Sequence, residues 1–226
     1  SEPATVFSGS EFFVNWADYP SIFQINKDTL VTHWLYKRGP GTFEYDVYLS
    51  LSHDRGASWS KPAVPHRDGI AAEHGFVSFF HQAGKLGVVW LDGRNMMPSE
   101  HGHGSGEMSL FTTTMGSDMI FGPETLLDSR ICECCPTAAA TIGDVHVIAY
   151  RDRSDEEVRN IQIVLSDGQH WSSPTSVHDD GWKIPGCPVN GPKLAVNGEM
   201  LGIVWYTAPN GEAQVNLAFS DDGGVT

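Results

Sequence analysis

The sequence predicts an all-β fold of four tandem blades, a β-propeller, and three observations carry that expectation. A tight-turn box recurs along the chain. Apolar strands carrying a single large aromatic recur in phase with it, at residues 34, 90, 150 and 205, separated by 56, 60 and 55 residues. The composition is rich in turn formers, with 24 Gly and 13 Pro in 226 residues, which favours short strands over long helices. A repeat of about 55 residues with three or four strands per unit is the signature of a propeller blade, and an immunoglobulin-like sandwich does not repeat in this way.

The first box is Ser52-His53-Asp54-Arg55-Gly56-Ala57-Ser58-Trp59. Its carboxylate accepts turn amides, its glycine supplies a positive φ, and the aromatic packs beneath the turn. Ser220, Asp222 and Gly224 repeat the pattern near the end of the sequence. Ser166, Asp167 and Trp171 carry a version one residue shorter, and Phe121-Gly122-Pro123 is a weaker trace in register with Trp59 and Trp171. These carboxylates are read as scaffold, not as catalytic groups.

Ahead of each box runs a β-rich segment: Val31 to Leu35, Gly87 to Leu91, Val147 to Tyr150 and Gly202 to Tyr206. Each blade adds an opening strand (Ser21 to Gln24, Val77 to Phe80, Thr137 to Ala140, Lys193 to Val196) and a third strand, as in Tyr45 to Leu49 and Asn160 to Val164. The blades span approximately 15–69, 70–129, 130–182 and 183–226, and together form one incomplete propeller.

The net charge of −14 repels phosphate backbones and anionic bilayers, so neither nucleic acid nor membrane insertion is expected. No apolar run reaches the roughly 18 residues of a membrane span. The sequence opens without a Met or an apolar leader, as a processed chain or a fragment does.

The stretch from Ala149 through Arg151, Asp152 and Arg153 to Ser154, followed by Arg159-Asn160-Ile161 and the box at Ser166, resembles a substrate-binding blade of the bacterial sialidases. Tyr45-Asp46-Val47 leading into Ser52 resembles the first blade of that superfamily. The resemblance implies six blades, of which four are visible, so the C-terminal blades are expected to lie outside this sequence. It also implies a glycan-acting or glycan-binding protein, a glycoside hydrolase if active, with an arginine clamp for an acidic sugar, a Tyr nucleophile assisted by Glu, and an acidic proton donor. The Tyr belongs to a later blade than those present. Where the family opens its first blade on an Arg-Ile-Pro motif, this chain reads Asp18-Tyr19-Pro20, so the clamp lacks one arginine.

Candidate substrate-binding residues are Arg38 and Arg94, four residues after Trp34 and Trp90, and Arg151 and Arg153, one and three after Tyr150. One blade position repeated around an axis puts all four on one rim. The competing reading pairs each with a carboxylate of its own loop, such as Asp92 or Asp152. Trp182 is a sugar-stacking platform or a packed loop aromatic. Glu73, Asp92 and Asp68 are acid candidates that spacing does not rank.

A second constellation lies at the blade openings, Tyr19-Pro20, His74-Gly75, Cys135-Pro136 and Cys187-Pro188. If these ring the central channel, His74, Cys135 and Cys187 face one another, with Cys132 and Cys134 close by. Thiolates with imidazole suit copper or zinc, which makes a non-catalytic metal- or partner-binding propeller the alternative function; the glycan reading requires no cofactor. Four cysteines also allow two disulfides in any of three pairings, with Cys187 to the cluster as an inter-blade staple, and an exported location, secreted or periplasmic. Residues 96–103, rich in Met and His, and Met108 add soft ligands on a glycine-rich turn. His33, His81, His146, His170 and His178 are read as structural.

Overall fold

The computed structural model describes residues 2–82, 84–97 and 105–225. Four antiparallel sheets make up the molecule. The first is β1 (Ser21–Gln24), β2 (Leu30–Lys37) and β3 (Tyr45–Ser52), with a bridge from Leu49 to Ala63 in place of a full fourth strand. The second is β4 (His74–Gln82), β5 (Lys85–Met97), β6 (Ser105–Met115) and β7 (Thr125–Asp128). The third is β8 (Ala138–Ile142), β9 (Val145–Arg151), β10 (Ile161–Ser166) and β11 (Thr175–His178). The fourth is β12 (Lys193–Asn197), β13 (Met200–Thr207) and β14 (Gln214–Ser220), with a 3-10 turn at Pro209–Gly211. Each sheet is a meander in chain order, and β4 lies against β8 and β8 against β12. This is a β-propeller with four blades.

The central strands of the second and third blades, β5 and β9, are apolar on both faces because each is covered on both sides. Alternate residues of a strand point to opposite faces. In β5, Leu86, Val88 and Trp90 pack with Val31, Leu35, Val47 and Leu49 of the first blade, whereas Val89 and Leu91 pack with Ile148, Tyr150 and Val164 of the third. In β9, Ala149 faces Ile203 and Trp205 of the fourth blade. The four marker aromatics are all buried. Three tie a polar tip to a carboxylate: Trp90 Nε1 donates to Asp92 at 2.7 Å, Tyr150 Oη to Asp128 at 2.6 Å, and Trp205 Nε1 to Asp180 at 2.7 Å.

The two ends of the arc differ. On the fourth blade Val215, Leu217 and Phe219 all lie on one face of β14, and each is at least 60 % exposed. On the first blade the N-terminal segment covers the outer face, where Phe7 stacks on Trp34 at 5.0 Å and also meets Tyr36 and Tyr48.

The boxes form turns at one end of the blades. Ser52 Oγ accepts the Gly56 amide at 2.7 Å, and Asp54 accepts the Ser58 amide at 2.8 Å and its hydroxyl at 2.6 Å. Gly56 stands at φ 88°. Ser220 and Asp222 repeat this with Gly224 and Val225. In the shorter box Asp167 accepts the amides of Gln169 and His170 at 2.8 Å, and Ser166 bridges to Trp171. Arg55 N–H donates to Asp28 O, so the first box shares its end with the β1–β2 turn. The blade openings and the loops after β2 and β9 therefore gather at the opposite end, the mouth.

Candidate active site

At the mouth, residues 14–20 leave the first sheet between the Phe12–Tyr36 bridge and β1. Asn15 Oδ1 caps this excursion by accepting the amides of Ala17 at 2.5 Å and Asp18 at 3.1 Å. The cap turns Asp18 inward, to 6 % exposure, and leaves Trp16 and Tyr19 at 82 % and 63 %. Asp18 Oδ2 accepts the Phe76 amide at 2.5 Å. That contact needs Gly75, where a Cβ would lie 2.3 Å from Asp18 Oδ2. Phe76 itself has φ 53°, and the β4–β5 register slips between Gly75 and Ser78. This is a bulge at the opening of an inner strand, which re-aims side chains there. Asp18, Tyr19, Phe76, Thr137 and Lys193, from the openings of all four blades, line a cavity of about 120 Å³.

Glu73 sits beside Asp18, joined to Tyr45 by a parallel bridge. Tyr45 Oη donates to Glu73 Oε1 at 2.7 Å, and the Tyr45 ring stacks on Phe13 at 3.9 Å. Burial pushes the Glu73 carboxyl up to about 7; the Tyr45 hydrogen bond acts downward, while the charges of Asp18 and Glu133 add to the rise. Burial and the Glu73 charge hold the Tyr45 phenol well above its ordinary range. Glu133, also buried, is held by Arg153 at 3.5 Å and Arg159 at 3.3 Å.

A second buried group lies between the first and second blades. His66 and His74 stack with ring centroids 3.6 Å apart and planes 1° from parallel. Asp68 Oδ2 lies 3.3 Å from His66 Nδ1 and 3.2 Å from His74 Nε2. Burial works against the Asp68 charge, but the two imidazoles outweigh it and leave this carboxyl well below the usual range. Arg94 grips Asp92 with two hydrogen bonds, at 2.8 and 2.7 Å, and reaches Glu124 at 2.9 Å.

The candidate arginines do not share one clamp. Arg38 and Arg94 border the histidine pair: Arg38 donates to Gly69 O at 3.1 Å and lies 3.5 Å from Asp46, and Arg94 sits on Asp92. Arg151 is fully buried and donates to the carbonyls of Asn190, Arg159 and Tyr206, tying the third blade to the fourth. Burial pushes its guanidinium down to about 10, opposed by Asp180. Arg153 pairs with Glu157 at 2.9 Å, not with Asp152. Trp182 is 8 % exposed, with the Arg151 guanidinium 5.0 Å from its ring and Tyr206 edge-on at 5.5 Å. It is packed as a loop aromatic.

The cysteines gather beneath the opening of the third blade. Cys132 is bonded to Cys135 and Cys134 to Cys187. His74 is not with them; its neighbours are His66, Asp68 and Asp92. Of the Met- and His-rich loop, residues 98–104 lie outside the described residues, and Met108 is core between the second and third blades.

Sequence reasoning placed Glu73 among unranked acids and passed over Trp16, Tyr45 and His66. It read Asp18 only as a missing arginine. The one local signal was an acid flanked by aromatics, Trp16-Ala17-Asp18-Tyr19, just ahead of an inner strand.

No protein-family model and no curated protein sequence matches the chain. Solved structures do. A Trypanosoma rangeli sialidase aligns over 92 % of this chain and 37 % of its own, with 15 % identity and a TM-score of 0.61. A Penicillium chrysogenum α-L-arabinanase aligns over 89 % and 56 %, with 12 % identity and a TM-score of 0.56. A family 117 glycoside hydrolase from Zobellia galactanivorans aligns over 94 % and 70 %, with 10 % identity and a TM-score of 0.56. The chain thus spans about half the length of the arabinanase and less of the sialidase. What it shares with all three is the fold, a β-propeller of the kind found in glycosidases.

Proposed function

We propose that the mouth of this propeller binds a glycan and hydrolyses a glycosidic bond, with Trp16 and Tyr19 as stacking surfaces and Glu73 and Asp18 as the carboxyl pair. The observation that carries the reading is their juxtaposition: the buried Asp18 lines a cavity together with the exposed Tyr19, the buried Glu73 lies close enough for the Asp18 charge to raise its carboxyl, and the exposed Trp16 is two residues from Asp18. Glycoside hydrolysis uses such a pair, one group giving a proton to the leaving oxygen while the second supports attack of water. Glu73 takes the proton donor's place, since burial among other acids favours its neutral form. Tyr45 orients it. The solved structures of similar fold, an arabinanase and a sialidase among them, support carbohydrate as the substrate class.

A neutral glycan fits this mouth better than a sialoside. Arg94 and Arg153 are already paired with carboxylates and Arg151 is sealed inside. Arg38, with 36 % of its side chain exposed, is the most open of the four and is the contact an acidic sugar would use. The paired cysteines support a secreted or periplasmic location.

The test is release of a fluorophore from a panel of α-L-arabinofuranosides, neutral hexosides and sialosides by the chain and by its Glu73→Gln and Asp18→Asn variants. Turnover of a neutral glycoside that drops about 10²- to 10⁴-fold in Glu73→Gln is expected. Undiminished turnover in that variant, or no turnover of any member, overturns the catalytic reading. Glycan binding without turnover, lost in Trp16→Ala, leaves a lectin-like module.

A further inference from the structure

At the end of the blades that carries the box turns, away from the mouth, the second and third blades part to leave a cleft of about 510 Å³. We propose that this cleft is a second carbohydrate site, which takes a short stretch of a neutral glycan independently of the mouth.

Both walls are built from ordered elements. On the second blade Thr112 lies opposite Val89 and Thr125, and Thr114 lies opposite Gly87. Val89 packs towards the third blade, so these three threonines stand on the face turned to it. The facing wall is the shorter box of the third blade. Asp167 accepts the Gln169 and His170 amides at 2.8 Å, and Gly168 stands at φ 87°. Backbone amides and the Asp167 carboxylate thus make the turn, and the side chains of Gln169 and His170 are left exposed beside it. Trp171 meets the fully buried Phe80 at 5.9 Å, nearly perpendicular, and its backbone bridges to Ser166. The indole is therefore held in place while part of it stays open at the cleft.

The cleft offers polar groups that the fold does not use. The Thr112 and Thr113 hydroxyls donate to carbonyls of their own blade. The hydroxyls of Thr114 and Thr125, the amides of Gln82 and Gln169, the His170 ring and Trp171 Nε1 make no hydrogen bond among the described residues. Together they present both donors and acceptors to a ligand that carries both. Leu126, half exposed, and the Trp171 ring add apolar surface.

Charge narrows the ligand class. The chain holds 28 Asp and Glu and 14 Lys and Arg, yet among the described residues none of them lines this cleft. An anionic ligand finds no counter-ion here and meets a net charge of −14. A metal finds a single imidazole with no carboxylate or thiol beside it. A wholly apolar ligand would strip water from these polar side chains without replacing it. A neutral sugar has what remains: hydroxyls that both donate and accept, and C–H faces that pack on an aromatic ring. The size agrees, since ligand pockets span about 300–1,000 Å³.

The experiment titrates the chain with arabinotetraose, xylotetraose, mannotetraose and sialyllactose by calorimetry, and follows the backbone amides of residues 168–172 by nuclear magnetic resonance. A neutral tetrasaccharide is expected to bind at two sites, one lost in Trp16→Ala and the other retained. Binding at the retained site is expected to shift the box amides. It should weaken about tenfold or more when Gln169→Ala and His170→Ala are combined, as the loss of two hydrogen-bonding side chains implies. Trp171 is left intact because it also packs on Phe80. No binding by Trp16→Ala, unshifted box amides, equal binding of sialyllactose at the retained site, or unchanged affinity in a folded double variant overturns the proposal. Where the double variant does not fold, the box amides of the unaltered chain decide. Binding that survives Trp16→Ala in full and moves the box amides supports this cleft and removes the mouth, so the two readings fail separately.

Discussion

Gly75 stands where the Asp18 excursion comes closest to the opening of the second blade. A methyl group there would occupy the position of the Asp18 carboxylate, 2.3 Å from Oδ2, with Tyr45 Cε2 also within 3.4 Å. Gly75→Ala therefore displaces Asp18 from the Phe76 amide and crowds Tyr45, the partner of Glu73. Overpacking of this kind costs about 1–3 kcal/mol. The expected outcome is a modest fall in unfolding temperature together with a loss of glycan turnover close to that of Asp18→Asn. A variant that keeps full turnover would show that the position of Asp18 is immaterial. The residues involved were only partly legible beforehand. Glu73 looked like any acid in a polar connector, since its character depends on burial beside Asp18, Tyr45 and Glu133, which come from three separate segments.

The box turns and blade strands belong to the scale of the element, where sequence reasoning was strongest. The opening strand Ser21–Gln24 and the four apolar marker runs lie within observed strands. The second opening strand starts three residues earlier than expected, at His74, and the third opening strand and the third strand of that blade each start one residue later, at Ala138 and Ile161. The reason is locality: a box satisfies its own amides within eight residues, whatever surrounds it. Asp54 shows how this can be measured. Hydrogen bonds from the Ser58 hydroxyl and amide, and from the Ser52 hydroxyl, lower its carboxyl to about 2. Its folded-state value lies below the unfolded one, so its contribution to stability is present above pH 4 and is lost as pH falls through about 2. Asp54→Ala should reduce the unfolding temperature by an amount constant near neutrality that shrinks between pH 4 and 2. A gap that does not narrow on acidification contradicts this account of the turn.

For the whole molecule, the covalent links matter most. Cys134–Cys187 joins residues 53 apart and ties the third blade to the fourth, whereas Cys132–Cys135 closes a span of 3. If disulfides act by restricting the unfolded chain, the long link contributes about 4 kcal/mol and the short one about 2. Removing Cys134 and Cys187 together should lower the unfolding temperature by roughly 8–16 °C, and removing Cys132 and Cys135 by about half that. Equal effects, or a larger one for the short link, would refute that assignment of the energy. The exposed Val215, Leu217 and Phe219 also belong to this scale. In each blade interior to the arc both faces are covered, and this face has the same apolar character without a cover among the described residues.

The sequence by itself determined the repeat, the apolar strands in phase with it, the box turns and the repulsion of polyanions, because each depends on neighbours in the chain or on summed charge. The tertiary structure alone decided the rest. It paired the rim arginines with carboxylates, enclosed Trp182, joined Cys187 to Cys134 and separated His74 from the thiols. It also set Asp18 beside Glu73, and His66 on His74. These outcomes depend on how connectors from different blades fold over the mouth, and a repeat of about 55 residues specifies the position of each blade but not which side chains of those connectors meet.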